Sequence, residues 1–246
     1  MAATASDLQS DAIIVGAGVT GSEAAWRLAQ RGVRTLLLTT SLDTIASLPR
    51  DGWRFEPPSG GLLEHVAPEA SHAGRWSARA LRRAAKRELE RLPTLHVLQS
   101  TVVELLLDSS RTVTGVLTWE GVEHRAGCVA LCVGSFLHGR LRVGASEQHA
   151  GRLSELSDDA LYEQLSVLGL ALEEHHIALE GDGDRPGYEV RYAALCGASI
   201  RSDGAVTALP GLYAFGLCAG GVPDVGASAH AGADAARTLA AALRPG

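Results

Sequence analysis

Three glycines near the start of the chain have the spacing that points most clearly to a chemical task. Gly16, Gly18 and Gly21 form a Gly-x-Gly-x-x-Gly pattern within "DAIIVGAGVTGSEAAWRLAQRGVRTLLLTT", residues 11–40. The pattern follows a short apolar run and precedes a helical one, the context in which it binds the pyrophosphate of a dinucleotide. We expect Gly16 to make the tight turn, Gly18 to let the backbone approach the phosphates and Gly21 to let the helix pack closely.

The acidic residue that usually recognises the ribose of such a cofactor is missing. The second strand of the unit ends at Thr39 and Thr40, and the next acidic residue is Asp43. A hydroxyl group can also hydrogen-bond a ribose, so the site is altered rather than absent. On this evidence the dinucleotide is either a flavin or a nicotinamide cofactor.

Candidate catalytic side chains are few. Cys218 follows an apolar strand and would be a redox or nucleophilic thiol if its pKa were lowered, or else a small residue that fills the strand end. His230 lies in a small-residue helix and would donate a proton to a flavin or a substrate, or else be an exposed helix residue. Spacing assembles no catalytic triad, and Cys128-x-x-x-Cys132 lacks a second ligand pair, so no metal site is predicted.

Composition describes an ordinary globular protein. The chain has 246 residues, of which 46% are hydrophobic and 20% charged, enough for one large domain with a modest appendage. Its four scattered cysteines fit the reduced thiols of a cytoplasmic protein, and no apolar run reaches the length that spans a membrane.

The charge pattern does not decide whether one helix of this protein contacts nucleic acid. A net charge of -6 argues against nonspecific binding of nucleic acid by the whole surface. The stretch "RWSARALRRAAKRELER", residues 75–91, nevertheless places basic side chains at helical spacing. This basic stripe is either a solvated helix face or a tRNA contact, and it consists of Arg79, Arg82, Arg83, Lys86 and Arg87.

The order of elements predicts an α/β fold, a Rossmann-like FAD- or NAD(P)-binding domain with a parallel sheet, a β meander and a small inserted segment. We expect strands at 11–15, 33–39, 95–107, 128–136, 188–195 and 211–221, a hairpin around Glu120-Gly121, and a long irregular loop over 43–74. We expect helices at 21–31, 75–91, 157–172 (capped by Ser157) and in the last twenty residues. The predicted domains are a disordered tail at 1–10, a dinucleotide-binding domain at 11–149 and 206–246, and the inserted segment at 150–205.

Three stretches resemble the glucose-inhibited division protein A (GidA) family, flavoproteins that modify the wobble uridine of tRNA. They are "DAIIVGAGVTGSEAAWRLAQRGVRTLLLTTSLDTIA", "VGSFLHGRLRVG" with the following "AGRLSE", and "LPGLYAFGLCAGG". They occur in order over almost the whole chain, and the Thr39-Thr40 strand end is normal in that family. The resemblance implies FAD as the resident cofactor of a truncated, stand-alone relative that covers only the FAD domain.

The resemblance also implies a set of FAD contacts. The glycine loop would hold the pyrophosphate, Val102 would meet the adenine, Ser157 or Asp158 falls near a further contact, and Leu217 lies at the position near the flavin. The full set of implied cofactor-binding residues is Gly16, Ala17, Gly18, Val19, Thr20, Gly21, Thr39, Thr40, Val102, Gly134, Ser135, Gly216 and Leu217.

Two departures from the family pattern limit what the resemblance implies. The family has a Cys-Asn-Pro segment after "DTIA", with a cysteine thought to be catalytic, whereas this chain has "SLPRDGWRFEPPSGG". The C-terminal region that engages tRNA and a GTPase partner has no counterpart here. Three functions remain open: an FAD-dependent oxidoreductase that meets NAD(P)H transiently, a non-catalytic FAD-binding partner or sensor in tRNA modification, and an NAD(P)-binding protein. A homodimer is compatible with each.

Overall fold

The computed structural model describes residues 9–157, 159–181, 183 and 186–244. The predicted tail at 1–10 lies outside the described residues except for its last two, and Ser10 already begins the first strand. The helices are α1 Val19–Gln30, α2 Leu62–Ala70, α3 Ala78–Glu90, α4 Ala160–Val167 and α5 Val225–Ala242. The strands are β1 Ser10–Val15, β2 Thr35–Thr39, β3 Ser71–His72, β4 Arg75–Trp76, β5 Leu95–Gln99, β6 Val102–Leu107, β7 Val113–Thr118, β8 Glu123–Leu131, β9 Arg140–Val143, β10 Ser146–Gln148, β11 Ala150–Arg152, β12 Glu155–Leu156, β13 Leu172–Leu179, β14 Tyr188–Leu195 and β15 Leu212–Ala214.

The main sheet has the order β5-β2-β1-β8-β7-β6, with β15 also paired to β8. Strands β5, β2, β1, β8 and β15 pair in parallel, while β6, β7 and the start of β8 form an antiparallel meander. The Rossmann-like arrangement predicted from the sequence is therefore present. The chain leaves β1 toward β2 on one side and returns on the other side in β8, which creates a topological switch point at the carboxyl end of β1.

Alternating side chains of β1 build two hydrophobic layers. Ala12 and Ile14 pack on the face covered by α1, α3 and α5, whereas Ile13 and Val15 pack on the face covered by the meander and α4. All four are buried because both faces of a parallel sheet are covered. An apolar run without polar alternation is the sequence mark of such a strand.

The meander joins the parallel sheet through one long strand. The predicted hairpin around Glu120-Gly121 is present, but its second arm belongs to the same strand, β8, as the start of the strand predicted at 128–136. That prediction is wrong beyond Leu131, where β8 ends, and Gly134–Phe136 form a 3-10 turn. The strand predicted at 95–107 is in fact two strands, β5 and β6, separated at Ser100 and Thr101. Strand β5 pairs with β2, whereas β6 pairs with β7, so residues 95–107 do not form one strand.

A second, four-stranded sheet of order β10-β9-β14-β13 lies beyond the main sheet. It begins at Arg140, earlier than the start predicted for the inserted segment, and β14 has the bounds predicted for the strand at 188–195. The helix predicted at 157–172 is wrong at both ends, because α4 is shorter and residues 172–179 form β13 along the whole of β14. Ser157 is not its cap, since its hydroxyl donates to the Gly139 carbonyl at 3.0 Å.

The region predicted as a loop at 43–74 contains a helix. Helix α2 begins after Gly61 and is fastened to α1 by the buried carboxylate of Glu23, which accepts the backbone N–H of Leu63 at 3.1 Å. Glu23 also pairs with Arg27 at 2.6 Å. Burial raises the pKa of Glu23, and the bonds to Arg27 and Leu63 oppose that effect.

The small residues of α5 let it approach α1 closely. A Cβ added at Gly232 would lie 2.5 Å from the Thr20 carbonyl oxygen and 2.8 Å from Glu23 Cβ. Thr20 Oγ1 donates to the Ser228 carbonyl at 2.9 Å and fixes the start of α1 against α5. None of the helices in the described part of the chain combines the length and hydrophobicity that crossing a bilayer requires.

Candidate functional site

A cleft lies at the carboxyl ends of the parallel strands. Its walls come from the segments that follow β1, β2 and β8, from the break between β5 and β6, and from the β11–β12 hairpin. This is the switch point, where ligands bind in open α/β sheets. Of the residues predicted to contact a cofactor, those that line this cleft are Gly16, Ala17, Gly18, Thr39, Thr40, Val102 and Gly134.

The three glycines of the loop are required for different reasons. Gly16 has a φ of 100°, and a Cβ there would lie 2.4 Å from the Cys132 carbonyl oxygen. A Cβ at Gly21 would lie 1.8 Å from the Gly16 oxygen, so this glycine permits the loop itself to close and does not line the cleft. Gly18 differs, because its φ is -63° and nothing lies within 4 Å of an added Cβ. Its missing side chain leaves space in the cleft.

The amino terminus of α1 faces the same space. Gly18 is its N-cap residue and provides no side-chain hydrogen bond to the helix. The first N–H groups of an α-helix have no partner within the helix, and together with the helix dipole they favour an anion. The loop and the helix thus provide a binding surface for a pyrophosphate.

The side of the cleft near β2 is lined by hydroxyl groups. Thr39 is buried and its hydroxyl donates to the Ser41 carbonyl at 3.1 Å, whereas Thr40 is exposed. Ser100 and Thr101, at the break between β5 and β6, line the cleft as well. Sequence reasoning missed these two because it placed them inside a continuous strand.

A second cleft continues from the first. Both are lined by Gly18, Cys132, Gly134, Phe136 and Arg152, so they form one continuous groove across the end of the sheet. We call this second cleft the ring end of the groove. Other predicted residues that line the ring end are Val19, Thr20, Ser135 and Leu217.

Gly216 packs closely against Thr20 at the start of α1, next to the ring end. It has a φ of 75°, and an added Cβ would lie 2.8 Å from Thr20 Oγ1. It does not line the groove, unlike its neighbour Leu217. Ser135 lies in a short 3-10 turn, Gly134–Phe136, and its hydroxyl donates to the Gly151 carbonyl at 2.8 Å.

The second sheet supplies an apolar wall to the ring end. Ile177 and Leu179 of β13 and Tyr188 and Val190 of β14 line it. No local pattern in the sequence indicates this wall, because β13 carries a charged and histidine-rich stretch that becomes a strand only by pairing with β14. The segment at 47–61, where the family pattern has its cysteine, contributes Ser47 and Pro49.

The β11–β12 hairpin contributes two charged residues that sequence reasoning missed. Arg152 donates to the Leu48 carbonyl at 2.7 Å, and its Nε lies 3.8 Å from Glu155 Oε1. Burial raises the pKa of Glu155, and the nearby Arg152 charge opposes the rise. Ser157 also lines the groove, whereas Asp158 lies outside the described residues.

The structure does not support the two catalytic candidates. Cys218 is buried, its thiol lies 3.3 Å from the Leu131 carbonyl oxygen, and burial raises its pKa to about 11. A thiol with a raised pKa remains neutral and acts as a small packing residue. His230 is exposed on α5 and does not line either part of the groove.

The basic side chains of the stripe on α3 have different surroundings along the helix. Arg87 pairs with Glu69 at 2.7 Å, and Lys86 lies 3.9 Å from Glu90. Arg79 and Arg82 instead line a further cavity beside the ring end. The stripe is therefore not one continuous basic surface.

The sequence of the groove matches a known family. A family model described as glucose inhibited division protein A matches residues 11–52 and 68–177, more than half of the chain. This chain belongs to the glucose-inhibited division protein A family. The resemblance carried by the glycine loop and the "VGSFLHGRLRVG" stretch is thereby confirmed.

Curated relatives in the GidA family share only part of their length with this chain. The tRNA uridine 5-carboxymethylaminomethyl modification enzyme MnmG of Chlamydia trachomatis serovar L2b is 34% identical in an alignment of 193 positions that covers 66% of this chain and 31% of the relative. The enzyme of that name from Bacteroides thetaiotaomicron is 32% identical over 67% of this chain and 30% of the relative. The chain thus spans about a third of the length of these relatives.

Solved structures of GidA proteins share the fold. The GidA-related protein from Thermus thermophilus superposes with a TM-score of 0.84 at 38% identity, over 94% of this chain and 98% of that one. Aquifex aeolicus GidA in its form II crystal superposes with a TM-score of 0.86 at 15% identity, over 98% of this chain and 64% of that one. The first is a relative of similar extent, and the second shows the fold alone.

Proposed function

We propose that this GidA-family chain binds FAD in the groove and acts as an oxidoreductase. The observation that carries the proposal is Gly18, whose missing Cβ leaves space at the uncapped start of α1. A pyrophosphate that is hydrogen-bonded by the helix N–H groups requires that space. The groove also extends past the loop to the ring end, which gives a long dinucleotide room on both sides of its phosphates.

From one end of the groove to the other, different residues would contact the adenosine, the phosphates and the flavin of FAD. Thr39, Thr40 and the backbone near Val102 would hold the ribose and adenine, and the glycine loop would hold the phosphates. The apolar side chains of the ring end, among them Phe136 and Leu217, would exclude water from the flavin. The bound flavin would supply the capacity to accept and donate electrons, which the protein side chains lack.

Substitution of Gly18 by valine tests the proposed phosphate contact. The φ of -63° is accessible to residues with a side chain and nothing lies within 4 Å of an added Cβ, so we expect the apoprotein to fold, which its melting temperature checks. FAD affinity should fall by about a hundredfold or more, because the side chain would occupy the phosphate space. The measurement is a titration of apoprotein with FAD, followed by flavin fluorescence. Wild-type affinity in Gly18→Val would reject this position for the phosphates.

A non-catalytic FAD-binding role is the second candidate. It is supported by the segment at 47–61, which brings Ser47 and Pro49 to the ring end and has no cysteine. Cys132 also lines the ring end, but burial raises its pKa well above the ordinary value. In this role the bound flavin would not be reduced by NAD(P)H.

Reduction of the bound flavin separates the two candidates. An oxidoreductase should lose its flavin absorption within seconds when NADH or NADPH is added without oxygen. A binding protein should lose it only with dithionite, which serves as the control for a reducible flavin. Bleaching by dithionite alone would favour the non-catalytic role.

A part in tRNA modification is a weaker proposal. The curated relatives carry that activity in their names, but this chain spans about a third of their length. The division of the basic stripe also leaves no continuous row of cations along the described part of α3. Salt-sensitive binding of tRNA that is lost in the Arg79, Arg82 and Arg83 triple alanine variant would support it.

A further inference from the structure

A large cavity opens from the ring end on the side of α3. It has a volume of about 870 Å³ and lies between the segment at 44–53, the start of α3 and the β11–β12 hairpin. It shares five lining residues with the ring end: Ser47, Pro49, Arg152, Leu179 and Tyr188. A molecule in this cavity would therefore have direct access to the ring end.

Four arginines line this cavity from different walls: Arg50, Arg79, Arg82 and Arg152. Arg79 and Arg82 are on α3, and Arg152 is on the β11–β12 hairpin. Arg82 uses one N–H group on the Asp43 carbonyl at 2.8 Å, and the Arg50 guanidinium lies 5.4 Å from the centre of the Trp53 ring. Because a guanidinium has five N–H donors, each of these contacts leaves donors for a ligand.

Among the described residues, Arg152 is the one of these four arginines that pairs with a carboxylate. Asp51 accepts the backbone N–H of Ala78 at 2.6 Å and so caps α3. Glu155 lies beside Arg152, and Glu180 is exposed. Within the described residues, Arg50, Arg79 and Arg82 form no ion pair, although the chain has a net charge of -6.

Two of the three remaining cations of α3 lie beside carboxylates, whereas Arg83, outside the cavity, has no ion pair among the described residues. Arg87 pairs with Glu69 and Glu88, at 2.7 and 3.0 Å, and Lys86 lies near Glu90. In the described structure, the end of the helix that faces the cavity keeps arginines without carboxylate partners. Planar guanidinium groups on separate walls suit an anion with several oxygens, and phosphate is the group that arginine binds in this way.

We propose that the arginine-lined cavity is the substrate pocket and that it binds a small molecule bearing a phosphate group. The proposal rests on the function proposed above, because the pocket opens onto the flavin position. The walls enclose the site on several sides, which suits one compact phosphate rather than a nucleic acid strand. Trp53, Pro49 and Leu179 provide apolar surface for the organic part.

Calorimetric titration of FAD-loaded protein with inorganic pyrophosphate tests this pocket. FAD occupies the glycine loop in that sample, so the probe measures the second site. We expect binding that weakens about tenfold or more in the Arg79→Gln/Arg82→Gln double variant and by less than about twofold in Arg83→Gln. Arg83 is the matched control, because it is exposed on the same helix and does not line the cavity. Melting temperatures confirm that all variants fold.

Three results would overturn the proposal. They are no binding of pyrophosphate, equal binding by the double variant, and equal weakening in Arg83→Gln. Ribose 5-phosphate and ribose form a second pair of probes, and binding of the first alone supports a phosphate-bearing substrate. Tight binding of a ten-nucleotide RNA in place of both small phosphates would assign the arginines to nucleic acid and overturn the proposal.

Flavin absorption in the same samples separates the two proposals. If the protein holds FAD but the double variant binds pyrophosphate normally, the pocket is wrong and the proposed function is unaffected. If the protein never takes up FAD but binds pyrophosphate through Arg79 and Arg82, the phosphate site is correct and the flavin function is wrong.

Discussion

The position of Cys218 in the sequence suggests a reactive thiol, and the structure does not support that reactivity. Cys218 follows a glycine turn next to the groove, a position that suggests redox chemistry. The structure instead buries it between the Leu131 and Phe215 carbonyl oxygens. Burial also raises the pKa of Cys132, which lines both parts of the groove, well above its ordinary value, so proximity to the groove has not activated a thiol.

Thiol labelling checks this conclusion. At pH 8 we expect a disulfide reagent to react with Cys196 in the native protein, because it is the half-exposed thiol, and with all four cysteines in denaturant. Cys196→Ser should remove the native reaction. Rapid labelling of Cys218 in that variant would restore it as a catalytic candidate.

The raised pKa of Cys218 predicts that the protein loses stability in alkali. The pKa of Cys218 is raised from 9.0 to about 11 by folding, so its contribution is complete below pH 9 and is lost as the pH rises toward 11. The unfolded chain releases that proton first, and this favours unfolding. The free energy of unfolding in urea should therefore fall less between pH 8 and pH 10.5 in Cys218→Ala than in the wild type.

At the scale of elements, the βαβ unit was predictable because its signals are local. The apolar strand, the glycines and the helical period of α1 all agree, and the residues on the inner face of α1 are buried: Ala24, Ala25, Leu28 and Ala29. Helix α2 was missed because it has nine residues, contains Pro68 and follows a segment rich in proline and glycine. Strand β13 was missed because it depends on pairing with β14, and no local pattern records a long-range partner.

The link between α1 and α2 gives a prediction at this scale. Glu23→Ala would leave the Leu63 N–H without its acceptor and remove the ion pair of the largely buried Arg27, which would keep its bonds to the Pro58 and Ser59 carbonyls. We expect unfolding in urea to require about 1–3 kcal/mol less free energy. Glu123→Ala, which breaks an exposed ion pair with Arg125, is the control and should cost under about 1 kcal/mol. Equal losses in the two variants would show that Glu23 does not fasten α2.

At the scale of the whole molecule, the groove is built by parts that lie far apart in sequence. The main sheet provides the phosphate and adenosine side, while the second sheet and the β11–β12 hairpin complete the ring end. The glycine loop was enough to predict the first part from the sequence. The ring-end wall and Arg152 could not be predicted, because these residues reach the groove only through the pairing of the second sheet and the hairpin.

The central claim is that this groove holds FAD. The most direct test is the visible absorption spectrum of the purified protein, followed by identification of the molecule released on denaturation. We predict the visible absorption bands of an oxidised flavin, about one flavin for each chain, and release of FAD. A colourless protein that takes up NAD(P) and does not bind added FAD would contradict the account.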